Sequence, residues 1–349
     1  MKKKMKGVIF HGIGDISLEE VDVPTIQNAS DAIVRITLTT ICGSDLHLIH
    51  GQTVVDPESP IGHECVGIVE GVGDDVSSFK PGDRVVVATF PYCGNCFFCK
   101  KGSPSQCEKG GILGFGSIRG GLGGAQTEYV RIPYADMSLV KIPDSLTDED
   151  VLFVGDILST AYFALENVPI HPGDTVAIVG PGPVGLAVQE LAPVFGAGKL
   201  IMIGTREYRM QISEKKGAET INPNNENAQE RVRELTGGYG ADVVVECVGT
   251  PEAFQIAFDS VRKGGAVSLM GMWGDPVEIA LNDMVMNNIT IFTGLVNCHR
   301  MQEIVDLIEC GRINANFLLT HRMKLDDILE AYRIFENKED NVLKIAITP

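Results

Sequence analysis

The stretch that decides the fold is Thr175-Val176-Ala177-Ile178-Val179-Gly180-Pro181-Gly182-Pro183-Val184-Gly185. Its first five residues predict a buried strand, and the glycines after them have the spacing G-x-G-x-x-G. Between a strand and a helix, this pattern indicates a loop that holds the pyrophosphate of a dinucleotide. The first glycine permits a tight turn, the second lets the backbone approach the phosphates, and the third lets helix and strand pack closely. The free N–H groups of the first helical turn can also bind the phosphates. The predicted site comprises Gly180, Gly182, Pro183, Val184 and Gly185. A purely structural turn is the alternative.

The end of the next predicted strand, Lys199–Ile203, bears on which dinucleotide binds. Sites that prefer NAD place Asp or Glu at this strand tip, where the carboxylate accepts hydrogen bonds from the adenosine ribose. Here the tip reads Gly204-Thr205-Arg206, and a hydroxyl with a guanidinium suits a 2′-phosphate. The sequence therefore predicts that NADP(H) is preferred over NAD(H). The alternative is that Arg206 only begins a helix and that Glu207 binds the ribose.

Strands and helices alternate on both sides of this loop, between about residue 155 and residue 293. Further strands are predicted at Val243–Cys247, Ala266–Leu269 and Ile289–Thr293, and helices at Val184–Phe195, Arg206–Lys216, Ala228–Thr236 and Pro251–Val261. Such alternation predicts an α/β fold in which a parallel sheet is covered on both faces. The earlier part of the chain has short branched runs between Gly, Pro and Asp turns, which predicts a β-rich, barrel-like domain. We expect a discontinuous first domain, 1–154 with 294–349, and a second domain, 155–293.

Length and charge exclude several classes of protein. The chain has 349 residues, enough for two domains, and its formal net charge is −17. A field of that sign repels nucleic acids and anionic membrane surfaces, so we expect neither as a partner. The basic start Met1–Lys6 is not followed by a long apolar stretch, and no apolar run reaches the ~18 residues of a membrane span. With its cysteines predicted to be reduced, the protein is expected to be cytoplasmic.

A dense cysteine cluster predicts one metal site. Cys93, Cys96, Cys99 and Cys107 have the spacing C-x2-C-x2-C-x7-C, with Gly94 and Gly102 among the turn residues. Four thiolates this close can surround one tetrahedral zinc ion and leave no coordination position for a substrate, so its role would be structural. An iron–sulfur cluster and incidental or redox-active cysteines are the alternatives.

A second, open metal site is indicated by Cys42 and His63. A thiolate with an imidazole is a suitable zinc pair, but a catalytic zinc needs three protein ligands and one open position. The third ligand is not nearby in the sequence. Taken alone, Cys42 could be a small buried side chain and His63 a hydrogen-bonded turn histidine.

These motifs, in this order, resemble the zinc-containing alcohol dehydrogenases of the medium-chain dehydrogenase/reductase superfamily. The resemblance covers essentially the whole chain and is carried by the glycine loop, the four-cysteine lobe and three further motifs: Cys42-Gly43-Ser44-Asp45-Leu46-His47, Gly62-His63-Glu64 and Asp156-Ile157-Leu158-Ser159-Thr160-Ala161-Tyr162. The stretch Gly123–Val130 is most similar to the branch of formaldehyde dehydrogenases and bacterial secondary alcohol dehydrogenases. The resemblance implies a GroES-like catalytic domain interrupted by a Rossmann domain.

The resemblance also implies roles for individual residues. Catalytic zinc would bind Cys42, His63 and Asp156, with Glu64 behind the metal as an exchangeable or supporting group. Asp45 would orient His63. The proton of the alcohol would pass to Ser44, and then through the cofactor ribose to His47, while Thr160 would pack beside the nicotinamide. Asp156 as a helix N-cap and His47 as a loop histidine are the alternatives.

The function implied is that of a zinc-dependent alcohol dehydrogenase or carbonyl reductase, with two zinc ions per subunit and NADP(H). One alternative is an NAD-dependent polyol or formaldehyde dehydrogenase, and another is a non-catalytic, zinc-stabilised nucleotide-binding redox sensor. The substrate would be a small alcohol, ketone or aldehyde. A homo-oligomer, tetramer or dimer, is the family expectation, with the sheet edge near Ile289–Thr293 as a contact between subunits.

Overall fold

The computed structural model describes residues 3–53 and 55–349. The strands, in chain order, are β1 (Lys4–Gly12), β2 (Asp15–Asp22), β3 (Ala32–Thr40), β4 (Ser59–Pro60), β5 (Cys65–Val72), β6 (Arg84–Val87), β7 (Tyr129–Ile132), β8 (Leu139–Lys141), β9 (Thr175–Val179), β10 (Lys199–Ile203), β11 (Glu219–Ile221), β12 (Ala241–Glu246), β13 (Val261–Leu269), β14 (Thr290–Thr293), β15 (Leu319–Lys324) and β16 (Lys344–Thr348).

The α-helices are α1 (Gly43–Ile49), α2 (Phe97–Lys100), α3 (Ala135–Ser138), α4 (Asp148–Val151), α5 (Ser159–Glu166), α6 (Pro183–Leu191), α7 (Glu207–Lys215), α8 (Ala228–Leu235), α9 (Pro251–Ser260), α10 (Leu281–Asn287), α11 (Met301–Glu309) and α12 (Ile328–Asn337). A π-helical turn, Val154–Leu158, precedes α5. Short 3-10 helices lie at Pro104–Gln106, Ser117–Arg119, Ala192–Phe195, Cys298–Arg300, Asn316–Leu318, Leu325–Asp327 and Glu339–Asn341. In the described residues, no helix combines the length and apolar character that crossing a bilayer requires.

The chain divides into two compact units, residues 1–159 with 296–349 and residues 160–295. The sequence placed the divisions at 154/155 and 293/294, a few residues before those of the units. The predicted α/β class, with one β-rich domain and one domain built on a parallel sheet, is confirmed by the sheets.

The first unit is built mainly on antiparallel strand pairs, and β15 and β16 pair in parallel. One sheet has the order β15-β16-β3-β5-β6-β8 with β7 also paired to β3, and a smaller sheet has the order β2-β1-β4. β16 pairs antiparallel with β3, so the C-terminal segment joins the sheet formed by the N-terminal part of the chain. The core between these strands is aliphatic, with Val34, Val85, Leu113 and Ile132 fully buried. This arrangement brings the end of β3, the start of β5 and the strand β16 together.

The second unit is a parallel sheet of order β11-β10-β9-β12-β13-β14. β9 lies in the middle of that order, and the chain goes first to β10 on one side and later to β12 on the other. Ligands of open α/β sheets bind beyond the carboxyl ends of the strands at such a switch point. The glycine loop therefore occupies the position in the sheet where a nucleotide is expected.

Most predicted elements of the second unit agree with the structure. β9 and β10 have the predicted bounds. The helix predicted over Val184–Phe195 ends at Leu191 and continues as a 3-10 turn, because Pro193 cannot donate to the helical ladder. Asp156 is not a helix N-cap, since it lies inside the π-helical turn.

Candidate metal centres and nucleotide-binding loop

The four predicted lobe cysteines lie together around α2. Their sulfur atoms are all within 4.8 Å of one another, and Cys96 Sγ is 3.5 Å from Cys99 Sγ and 3.9 Å from Cys107 Sγ. A tetrahedral ion with ~2.3 Å bonds to sulfur has ligand-to-ligand edges of about 3.8 Å. All four are free thiols. The donor set and its spacing therefore fit a closed tetrathiolate zinc site.

Backbone N–H groups favour the thiolate form in this lobe. Cys107 Sγ accepts hydrogen bonds from the N–H groups of Cys93 at 3.2 Å and Lys109 at 3.4 Å. Backbone N–H groups of Cys99 and Glu108 lower the pKa of Cys96 to about 6. Burial raises the pKa of Cys99 to about 12 and raises that of Cys107 as well. Because metal ligation requires the deprotonated sulfur, the backbone N–H groups favour metal binding by acting against the effect of burial.

A second cluster joins Cys42, His63, Glu64 and Asp156. Cys42 precedes α1, the pair His63-Glu64 precedes β5, and Asp156 lies in the π-helical turn. Asp156 Oδ2 is 3.6 Å from Cys42 Sγ and 3.5 Å from His63 Nε2, and one ligand atom from each of the four residues lies within 4.8 Å of the others. A thiolate, an imidazole and a carboxylate that meet at one site are the donor set of a zinc site with an open coordination position. The structure thus brings together residues that the sequence separates by up to 114 positions.

Asp45 lies behind His63, on the side away from Asp156. Asp45 Oδ1 is 3.1 Å from His63 Nδ1, and within the described residues neither atom has a hydrogen bond to any other group. Burial disfavours a charged imidazole, but the carboxylates of Asp45 and Asp156 together raise the pKa of His63 well above its usual value. A cation at the Nε2 side would replace that proton and leave Nδ1–H directed at Asp45.

Lys344 is a member of this cluster that the sequence analysis missed. It is 1% exposed, and its Nζ donates to Glu64 Oε1 and, at 2.9 Å, to the carbonyl oxygen of Ile41. Burial opposes its charge, yet Glu64, Cys42 and Asp156 raise its pKa. Burial raises the pKa of Glu64 to about 6, although Lys344 acts against that rise. A single lysine inside the otherwise apolar run Val342–Ile347 was the available signal.

The other predicted catalytic residues lie on the helices that adjoin this cluster in sequence. Ser44 and His47 are both on α1, and Ser44 Oγ lies 3.2 Å from His63 Nε2. His47 Nδ1 is hydrogen-bonded to Gln52 Oε1. Thr160 is the second residue of α5 and the first residue of the second unit.

The glycine loop of the second unit has the shape that the sequence predicted. Gly180 has φ of 103°, a conformation that side chains rarely adopt, and Pro183 begins α6. A Cβ on Gly182 would meet only Arg209 Nη1 at 4.0 Å, so the loop is open there. Thr205 and Arg206 are exposed at the end of β10, next to the start of α7. Arg209, one turn further on, is a cationic neighbour of this loop that the sequence analysis missed.

Gly204 is held against the glycine loop. A Cβ at this position would lie 2.2 Å from Pro181 Cδ, closer than any side chain tolerates. The place where an NAD-preferring site carries Asp or Glu is therefore filled by the ring of Pro181. The role of this proline, like those of Lys344 and Arg209, was not found from the sequence.

Family models match both parts of the chain. The model described as alcohol dehydrogenase GroES-like domain matches residues 28–144, and the model described as zinc-binding dehydrogenase matches residues 183–309. An alcohol dehydrogenase of Cupriavidus necator is 37% identical over 366 residues, covering 100% of both chains.

Solved structures show the same similarity. The alcohol dehydrogenase TADH of Thermus sp. ATN1 superposes with a TM-score of 0.95 at 38% identity and covers 99% of each chain. A zinc-binding dehydrogenase of Sinorhizobium meliloti 1021, solved bound to NADP, has a TM-score of 0.89 at 27% identity and covers 100% of each chain. Similarity at this level extends over both units.

Proposed function

This chain belongs to the zinc-binding alcohol dehydrogenases, and we propose that it interconverts an alcohol and the corresponding aldehyde or ketone with NADP(H) as the hydride carrier. The observation that carries the proposal is the buried convergence of Cys42, His63, Glu64 and Asp156. We assign the metal ligands as Cys42, His63 and Asp156, with Glu64 as the exchangeable group. A non-catalytic nucleotide-binding protein would have no physical need for this open donor set.

Each residue of the cluster has a definable task. Zinc held there would supply Lewis-acid polarisation of the substrate oxygen, and the nicotinamide would supply the hydride acceptor or donor. Cys42, His63 and Asp156 would hold the ion, and a zinc ion with three protein ligands can also bind the substrate oxygen. Ser44, with a hydroxyl that both donates and accepts, would take the alcohol proton, and His47 would pass it on to solvent.

The four-cysteine lobe is assigned a structural zinc ion, so we expect two zinc ions per subunit. The first unit would be the catalytic domain, and the second unit would bind the dinucleotide through Gly180, Gly182, Pro183, Val184 and Gly185. Since nine free cysteines with two thiolate metal sites require a reducing compartment, we propose a cytoplasmic location.

The preference for NADP(H) rests on the tip of β10. Gly204 carries no carboxylate, Pro181 fills the space that a carboxylate would need, and Thr205 and Arg206 are exposed at the same tip. A hydroxyl and a guanidinium favour a 2′-phosphate, which an acidic side chain would repel. The ratio of kcat/KM for NADP+ to that for NAD+ tests this proposal, and a large advantage for NAD+ would contradict it.

The test of the catalytic site is Cys42→Ala. The variant loses a ligand of the open site but keeps the four-cysteine lobe, so we expect it to remain folded, to hold one zinc ion per chain and to lose turnover. Metal analysis and an alcohol oxidation assay on the same preparation measure both quantities. Turnover equal to that of the parent chain would refute the assignment.

A further inference from the structure

Behind the metal ligands, a buried series of polar contacts leads from α12 to His63. Tyr332 on α12 donates its hydroxyl to Gln126 Oε1 at 2.8 Å, and Gln126 Nε2 donates to Asp45 Oδ2 at 3.1 Å. Asp45 Oδ1 in turn faces His63 Nδ1 at 3.1 Å. Tyr332 is 4% exposed, Gln126 0% and Asp45 1%, so water does not compete for these groups.

The amide of Gln126 can point only one way. Its Nε2 faces two acceptors, Asp45 Oδ2 and, at 3.3 Å, the carbonyl oxygen of Thr40. A flipped amide would place an oxygen against both acceptors, and the hydroxyl of Tyr332 would lose its acceptor. The backbone of Gln126 is fixed as well, because its N–H donates to Ile61 at 3.0 Å and its carbonyl accepts from Val8 at 3.0 Å.

This amide determines how the Asp45 carboxylate is turned. Oδ2 accepts two hydrogen bonds, from Gln126 Nε2 and from the N–H of Cys42 at 2.9 Å, and this leaves Oδ1 directed at the imidazole. Phe115 packs against the His63 ring with a centroid distance of 5.7 Å but offers no polar contact there. The rotation of the His63 ring, and the tautomer with hydrogen on Nδ1, therefore depend on Asp45.

We propose that Gln126 and Tyr332 are positioning residues of the metal centre, which hold Asp45 so that His63 presents an unprotonated Nε2 toward Cys42 and Asp156. The inference rests on the proposed function, because it assumes that these residues bind zinc. It adds that the last helix, α12, contributes through Tyr332 to the metal affinity and ligand geometry of this site. The ligands themselves all come from the first half of the chain.

Gln126→Met is the direct test, because methionine keeps the length of the side chain and removes the amide donor. Residues that support metal-binding histidines typically contribute about 10- to 100-fold to metal affinity. We therefore expect zinc at this site to bind about 10-fold more weakly or worse, measured by chelator competition. The Cys42→Ala chain gives the signal of the four-cysteine site alone, which is subtracted.

Three further variants make the result specific. Tyr332→Phe keeps the ring and removes only the hydroxyl, so a smaller loss of affinity is expected, and the double variant should lose little more than Gln126→Met alone because the two residues act in series. Gln189→Met is the matched control in the second unit: Gln189 is 2% exposed and its Nε2 donates to the Ser213 carbonyl oxygen at 2.9 Å. It should lose stability but keep the zinc affinity of the parent.

Cobalt substitution provides a readout that does not depend on turnover. The absorption of Co(II) at the one-thiolate site reports ligand geometry, so we expect its bands to shift in Gln126→Met and not in Gln189→Met. Parent-like affinity and absorption in folded Gln126→Met would overturn the inference. If Gln126→Met does not fold, parent-like zinc affinity and Co(II) absorption in Tyr332→Phe would overturn the inference. An equal loss of zinc affinity in the control Gln189→Met would also overturn it.

The experiment also separates this inference from the proposed function. A parent chain that binds zinc at the site but oxidises no alcohol would contradict the proposed function, and the affinities would still decide the role of Gln126 and Tyr332. A parent chain that binds no zinc there would contradict both.

Discussion

At the scale of single residues, the metal cluster includes an ion pair with Lys344, a residue near the end of the sequence. Lys344 and Glu64 are both 1% exposed and form a buried ion pair across a sequence separation of 280 residues. The second carboxylate oxygen of Glu64 has no hydrogen-bond partner among the described residues. Glu64 therefore has one oxygen held by Lys344 and one left over, which suits a group that contacts the metal transiently.

Lys344→Met tests the importance of this pair for stability. Removing one partner leaves a buried carboxylate without its counter-charge, which typically costs about 3–5 kcal/mol. We expect the midpoint of urea unfolding of the first unit to fall accordingly. Lys344→Met combined with Glu64→Gln should recover most of the loss, because no charge then remains buried. A loss below about 1 kcal/mol in the single variant would contradict the account.

We expect His11 on β1 to make a pH-dependent contribution to the stability of the fold. Its Nδ1 is 2.8 Å from Glu58 Oε1 and its Nε2 is 2.7 Å from Glu19 Oε1. Hydrogen bonds to Glu58 and Glu19 raise its pKa. The folded chain therefore holds the proton on His11 more tightly than the unfolded chain does. The resulting contribution to the free energy of unfolding is fully present below about pH 6.5 and disappears as the pH rises through the raised pKa.

We expect His11→Gln to lower Tm at about pH 5 and to leave it nearly unchanged at about pH 9. Thermal unfolding of parent and variant at both pH values measures the effect. An equal loss of Tm at the two pH values would show that His11 stabilises by packing and not by charge.

At the scale of elements, the tip of β10 shows how a loop restricts cofactor choice. Gly204 lies under Pro181, so a side chain can be added there only if the proline ring moves. We predict that Gly204→Asp alone lowers kcat/KM with both NADP+ and NAD+, and that Gly204→Asp with Pro181→Ala shifts the ratio toward NAD+. A shift of the same size in the single variant would show that Pro181 is not the obstacle.

The elements also show what the sequence could predict. β9 and β10 were predicted with their bounds because strands buried on both faces give continuous apolar runs. The hairpin of β1 and β2 was missed because charged residues such as Lys6, Glu19 and Glu20 interrupt its pattern where one face meets solvent. The two metal clusters also differ in how far the sequence predicts them. The cysteine lobe is local in sequence, so its ligands could be derived from their spacing.

The second cluster could be derived only in part. Cys42 and His63 were visible as a zinc pair, whereas Asp156 came from the family resemblance, because 93 residues separate it from His63 and no spacing rule links them. Lys344, Gln126 and Tyr332 were not found at all. Their roles follow from β16 pairing with β3 and from α12 in the same unit, contacts that depend on tertiary structure.

At the scale of the whole molecule, the second unit has an exposed apolar surface that carries little charge. Leu281, Val285 and Met286 on α10 are 68%, 74% and 79% exposed, and β14 is an outer strand of the parallel sheet. Residues 279–293 carry a single charge, Asp283, in a chain whose formal net charge is −17. Association of two copies through this surface would therefore bring few like charges together.

We predict that the parent chain is a homo-oligomer and that Val285→Glu shifts it to a smaller species in sedimentation. Leu329→Glu, at a residue 45% exposed in the first unit, is the matched control and should keep the parent's mass. A Val285→Glu chain with the parent's mass would contradict the assignment of this surface.

We propose that this chain holds two different zinc ions, one by four sulfur atoms and one by an open set of unlike ligands. The most direct measurement is an anomalous difference map at the zinc absorption edge from crystals of the purified protein. We expect two peaks in each subunit, one among Cys93, Cys96, Cys99 and Cys107, and one in contact with Cys42 Sγ, His63 Nε2 and the Asp156 carboxylate. A map from fully metallated, active protein with a peak only at the four cysteines would contradict it.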